Sequence, residues 1–210
     1  AMFPLGSVLF PGMPLPLRVF EPRYVALVSS VLGETEHEFG VVLIERGSEV
    51  GGGDVRFGVG TVARIVSVEQ TADSIMLLST GTARFEVVRW LEDDPFPRAQ
   101  VRELPALEFH ESTPSQLAAA EALVRAIISR ASEFIEPAWP ADIELSSEQA
   151  KRIWQVAGIA PLNSLDQYAL LRSGTASELL DRLVDDTQAA DALFAAGWGS
   201  DPHGDGDLPA

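Results

Sequence analysis

Residues able to do chemistry are sparse in this 210-residue chain, and none stand at catalytic spacing. The three histidines, His37, His110 and His203, lie far apart, each without a neighbour at metal-ligand spacing. No HExxH is present, and with no cysteine there is no thiolate ligand and no thiol nucleophile. A phosphate-binding loop needs Gly-Lys-Ser/Thr between a strand and a helix, and no Gly-Lys occurs. The triple glycine at 51–53 precedes strand-like residues rather than a helix, so it reads as turn geometry. There is no GxSxG elbow. A Ser–Lys dyad would have to use Lys151, the single lysine, which falls on an amphipathic helical pattern and reads as solvated. The acidic runs Glu92–Asp94 and Asp185–Asp186 read as solvated faces. The expectation is of no catalytic residues, no metal and no cofactor.

Charge narrows the partners. The formal net charge is −16, and fourteen of the fifteen basic residues are arginine. Residues 1–130 carry 17 acidic and 11 basic side chains, and residues 131–210 carry 14 and 4. Such a surface repels phosphate backbones and anionic lipids, so neither nucleic acid nor membrane is expected as a partner. Absence of cysteine suits a reducing, cytoplasmic setting.

The pattern is β first, then α. Residues 3–10 and 15–20 are short apolar segments, and FGVVLI at 39–44 is a continuous run of the kind a buried strand shows. After a turn-rich stretch at 47–54, residues 55–69 and 74–90 are β-branched and aromatic, joined by a hairpin at 70–73. Phe85 and Val87 alternate with Arg84, Glu86 and Arg89, and Ala99 and Val101 with Arg98, Gln100 and Arg102, as in half-buried strands. About six strands with Gly/Pro turns predict a small barrel or folded-over sheet. From Thr113 the period is helical. Thr113 with Gln116, Ser146 with Gln149 and Thr175 with Glu178 each form a capping-box pattern, and Asn163 opens a further short helix. The first of these helices carries its apolar face through to Phe134, and the last through Leu193 and Phe194. The fold class is α+β. Residues 2–110 are expected to form the barrel, residues 113–196 a bundle of about four helices, and 197–210 a disordered acidic tail.

One stretch is unusual: FPGMPLPLRVFEPRY, residues 10–24, with four prolines. Pro11–Gly12 predicts a turn, while Pro14 and Pro16 fit only an edge strand, a bulge or strand ends. Pro22 suits a first helical turn, with Glu21 at its positive end. Together with FPLGSVLFPGMPLPLRVFEPRY at 3–24, FGVVLI, GVGTVARIVSV at 58–68, GTARFEVV at 81–88, LNSLDQYALL at 162–171 and SELLDRLVDD at 177–186, it resembles the N-terminal, substrate-binding domain of the Lon protease family. The similarity is greatest to the stand-alone bacterial form without ATPase and protease domains. The resemblance implies a PUA-like six-stranded pseudo-barrel with one helix, followed by a helical bundle. It also implies binding of a polypeptide or protein partner without hydrolysis. The alternatives weighed beside it are a PUA-like small-ligand module and an uncharacterised hydrolase. Candidate partner-binding residues are Glu21, Arg23, Tyr24 and Trp139, and a contiguous apolar groove without a cluster of convergent polar groups is expected where barrel and helices meet.

Overall fold

The computed structural model describes residues 1–47, 55–132 and 138–198, with side chains through residue 192. The expected turn at 48–54, Phe134, His203 and residues 199–210 of the expected tail lie outside the described residues, as do the side chains of Leu193 and Phe194.

Six strands and five helices are seen among the described residues, strands first. The strands are β1 (Met2–Leu5), β2 (Pro14–Val19), β3 (Glu38–Arg46), β4 (Val55–Gln70), β5 (Ile75–Trp90) and β6 (Ala99–Glu103). Helix α1 (Pro22–Leu32) lies between β2 and β3, and α2 (Thr113–Ala131), α3 (Gln149–Ile159), α4 (Ser164–Leu171) and α5 (Ala176–Trp198) follow the sheet. The sheet order is β1-β3-β4-β5-β2, antiparallel except for the parallel β1–β3 pair. Strand β6 pairs with the far half of β5. The amide of Met2 donates to the Pro97 carbonyl at 2.8 Å, which curls the β1 edge toward the residues leading into β6. The result is a half-barrel wrapped around α1, whose Tyr24, Leu27, Val28 and Val31 are buried.

Local chemistry explains the tight places. Gly12 sits at φ +76°, and the Met13 amide donates to the Phe10 carbonyl at 3.1 Å, giving a turn that needs glycine at its third position. Gly60 lets β3 and β4 close beneath the Phe85 ring, since a Cβ there would stand 2.2 Å from the Val41 carbonyl oxygen. Pro14 and Pro16 lie on β2, which among the described residues pairs with β5 alone, so neither deprives an inner ladder of a donor.

The helix starts follow the sequence unevenly. The Asn163 side chain accepts from the amides of Leu165 and Asp166, both at 3.0 Å, as an N-cap should. Asn163→Ala is expected to cost about 1 kcal/mol of stability, read as a lower urea midpoint with unchanged slope. Thr175 accepts from the Glu178 amide at 3.1 Å, while the Glu178 carboxylate returns to Gly174 rather than to Thr175. Thr113 does not cap α2: it is fully buried, and its hydroxyl accepts from the His110 amide at 2.9 Å. Gln116 instead meets Ser112 and Ser177. At α3, Ser146 accepts from the Glu148 amide, but its own amide donates to Gln155, not to Gln149.

Barrel and bundle share one hydrophobic cluster, running from Phe3, Phe10 and Val41 through Ile128, Trp154 and Leu183. A smaller cluster of Met2, Val42 and Phe85 lies under β6. The alternation in β5 and β6 misplaces two side chains. Val101 is 46% exposed, and Arg84 is 5% exposed because the helical part covers its face of the sheet.

Candidate functional site

Strand β5 is longer than either neighbour on its outer side. Strand β2 is in register with Ile75 to Thr80, and β6 with Phe85 to Trp90. Between them, Thr82 and Ala83 have no strand beside them on that edge, and residues of α3 face the gap across a cavity. The turn at Gly12 is fastened to the upper side of the gap by Gly12–Gly81 and Gly81–Met13 backbone hydrogen bonds of 2.8 and 2.9 Å. The lower side is fastened by the Leu104 amide to the Arg84 carbonyl at 2.9 Å.

Arg84 holds the seam together. Its guanidinium donates to the carbonyls of Leu171 (2.8 Å), Ser173 (2.6 Å) and Pro105 (2.8 Å) and lies 4.8 Å from the centroid of the Trp154 ring. Trp154 in turn stacks on Phe10 at 5.9 Å. Burial lowers the Arg84 pKa from its ordinary value, with the charge of Glu178 opposing that shift. Further ties across the seam run from Gln155 to the Gly12 carbonyl (3.2 Å) and from Ser164 to the Gly6 carbonyl (3.0 Å).

In front of this seam is a cavity of about 430 Å3. Trp154, Leu107, Phe109 and Pro11 give it an apolar wall. It is not purely apolar: Arg84, Lys151, Glu103 and Glu148 also line it. No nucleophile–base pair faces it, and no group of three or more metal-ligating side chains occurs among the described residues.

A second, smaller cavity of about 190 Å3 lies at the other end of β2, between that strand and the start of α1. Here three of the four sequence-predicted residues come together. Arg23 donates to Glu21 at 3.1 Å, with both side chains 18% exposed, and its guanidinium lies 4.5 Å from the Tyr24 ring centroid. Tyr24 is buried and stacks on Phe3 at 4.1 Å, so its ring is committed to the core. Phe20, 55% exposed, stands at the rim of this cavity. Trp139 is elsewhere, half-buried on the connection between α2 and α3, with its ring against the main cluster. The four-proline stretch thus borders both cavities, Pro11 and Gly12 at one and residues 16–21 at the other.

The description of the ATP-dependent protease La (LON) substrate-binding domain matches this chain over residues 1–185. The chain belongs to the LON substrate-binding domain family. Among curated Lon family relatives, the Lon protease of Anaeromyxobacter dehalogenans is 36% identical over 99 residues, covering 46% of this chain and 12% of that protein. Lon protease 2 of Myxococcus xanthus gives the same figures. The chain therefore spans only a small part of those relatives. Among solved structures, a Lon N-terminal domain protein from Xanthomonas campestris superposes with a TM-score of 0.59 at 27% identity, covering 88% of this chain and 95% of that one. The N-terminal domain of the Mycobacterium avium complex Lon protease superposes with a TM-score of 0.63 at 19% identity, covering 89% and 96%. The second shows likeness of fold alone. Both fit the curled Lon half-barrel with helices mostly after it.

Two residues that hold the seam, Arg84 and Trp154, escape prediction as site residues. Arg84 sits where a period-2 pattern places a solvated side chain, and Trp154 reads as one more apolar residue on a helix face. Their partners stand 87 and 89 residues away for Arg84, beyond any local signal.

Proposed function

We propose that this chain is a non-catalytic module that binds polypeptide, taking extended or unfolded segments at the cavity between half-barrel and helices. The observation that carries the reading is that cavity: about 430 Å3, apolar along Trp154, Leu107, Phe109 and Pro11, and opening at an interrupted sheet edge. Concave apolar sites with a few placed polar groups are where ligands bind. Membership in a family described as substrate-binding, beside relatives named Lon proteases, supports polypeptide as the partner class. The half-barrel (2–110) and helical part (113–196) act as one unit in this reading, since the cavity draws residues from both. Cytoplasmic protein quality control or proteolysis is the setting that fits it, with nucleic acid and membranes disfavoured by the net charge of −16. No helix among the described residues is long and apolar enough to cross a membrane.

The test is binding of fluorescently labelled, unfolded casein followed by anisotropy, with gel analysis of the casein afterwards. Saturable binding without cleavage is expected. Ala106→Trp, an exposed position on the cavity wall, should weaken binding at least tenfold while leaving the circular dichroism spectrum unchanged. Fragments of casein appearing with purified protein alone, or undiminished binding by Ala106→Trp, would defeat the proposal.

A further inference from the structure

The charges around the junction cavity are not evenly placed. Arg84 is buried at its inner end, and its hydrogen-bond acceptors are three backbone carbonyls, none of them a carboxylate. Lys151 lines the same cavity. Its methylene stem lies across the turn, with Cγ only 2.6 Å from where a Cβ on Gly12 would stand, so the turn glycine makes room for it. No carboxylate among the described residues lies within salt-bridge distance of the Lys151 ammonium. The two acids on the lining, Glu103 and Glu148, belong to solvent-exposed residues, and Glu148 caps no amide of α3 with its side chain. The cavity therefore has one buried cation, Arg84, at its inner end, and Lys151, Glu103 and Glu148 on exposed residues around it. In a chain of net charge −16, the only lysine is held at this point.

We infer that the cavity captures the C-terminal end of a polypeptide, with its α-carboxylate on the Lys151 ammonium and an apolar last side chain against Trp154 and Leu107. This rests on the polypeptide-binding reading above and narrows it from any segment to a chain end. Charge complementarity favours that occupant. A free carboxylate gives the Lys151 ammonium the acid partner it lacks and adds negative charge beside a guanidinium whose hydrogen-bond acceptors are all backbone carbonyls. The interrupted edge at Thr82 and Ala83 is two residues long, too short to seat a through-running strand but suited to a terminus entering between β2 and β6. Burial of one leucine-sized side chain contributes on the scale expected for anchoring a chain end.

The experiment compares a labelled hexapeptide ending in Ala-Leu with a free carboxylate, the same peptide as its C-terminal amide, and free leucine as competitor. Each is measured by anisotropy with the full chain. The free acid is expected to bind about tenfold or more tightly than the amide. Lys151→Gln should abolish that preference and Lys151→Arg should keep most of it. Lys151 is exposed, so neither variant should shift the melting temperature, and that is measured alongside. Equal binding of acid and amide, a preference that survives Lys151→Gln, or free leucine competing as well as the peptide would each overturn the inference. If unfolded casein still binds the wild type and Lys151→Gln alike, the general polypeptide reading stands and only the chain-end inference falls. If casein does not bind at all, both fall.

Discussion

Arg84→Ala is expected to cost about 3–4 kcal/mol of folding stability, a large share of the ~5–15 kcal/mol that holds a typical domain together. The Leu171 and Ser173 carbonyls lose a buried donor at once, while the Pro105 carbonyl, on the exposed side of the seam, can turn to water. Each unsatisfied buried polar group costs about 1–3 kcal/mol. The Trp154 face loses the cation lying 4.8 Å from it, worth a further ~1 kcal/mol or so. With a urea slope of about 2 kcal/mol/M, the midpoint should fall by roughly 1.5–2 M. Arg84→Lys should recover only a minor part, because one ammonium cannot span acceptors on both the α4 C-terminal side and the 104–107 connection. The loss should be seen equally in fluorescence and circular dichroism, since half-barrel and helices share one cluster. A midpoint shift below about 0.5 M would mean that the seam is held by apolar contacts and that Arg84 is incidental to it.

That prediction bears on why some of this molecule was readable from its sequence and some was not. Features governed by neighbours along the chain were legible. Pro22 starts α1 with Glu21 at the N-cap, Asn163 caps α4, the β4–β5 hairpin turns after Gln70, and the prolines of β2 sit on an edge. The resemblance carried by residues 3–24 pointed to the half-barrel followed by helices, which the matching Lon domains share. Features governed by distant residues were not. Thr113 and Gln116 have capping-box spacing, but burial of Thr113 sends its hydroxyl to His110 instead. Arg84 obeys the alternation of an outward residue until α3 and α4 cover it. Of the predicted partner-binding residues, Glu21, Arg23 and Tyr24 do meet at the start of α1, whereas Trp139 stands apart on the α2–α3 connection. The cavity at the seam is made of short pieces from four separate parts of the chain, and no window of sequence contains it.

The same reasoning identifies the second point of high expected cost, Glu121 on α2. It is 8% exposed and accepts from Arg152 at 2.7 and 2.9 Å and from Arg125 at 2.9 Å. Arg125 also donates to the carbonyls of Ala141 and Ile143, which fixes the connection that carries Trp139. Burial pushes the Glu121 carboxyl upward, but the hydrogen bonds and charges of Arg152 and Arg125 outweigh it and hold the pKa below the usual value. Removing the carboxylate leaves two guanidinium groups facing each other without an acid, so Glu121→Gln should cost about 2–3 kcal/mol near neutral pH. The sign of the pH dependence follows from the lowered pKa. The unfolded chain binds this proton more readily than the native one. The stabilisation is therefore complete above the unfolded value, near ~4.3, and is lost as pH falls through the native value. The stability gap between wild type and Glu121→Gln should accordingly be constant from about pH 6 to 8 and shrink toward about pH 3. Denaturant titrations of both proteins across that range check it. Replacing the Glu121–Arg152 pair with apolar residues of similar volume, as in Glu121→Leu with Arg152→Met, should recover part of the loss, since Arg125 keeps the Ala141 and Ile143 carbonyls as acceptors. A gap that stays the same from pH 7 to 3 would show that Glu121 acts through packing rather than charge.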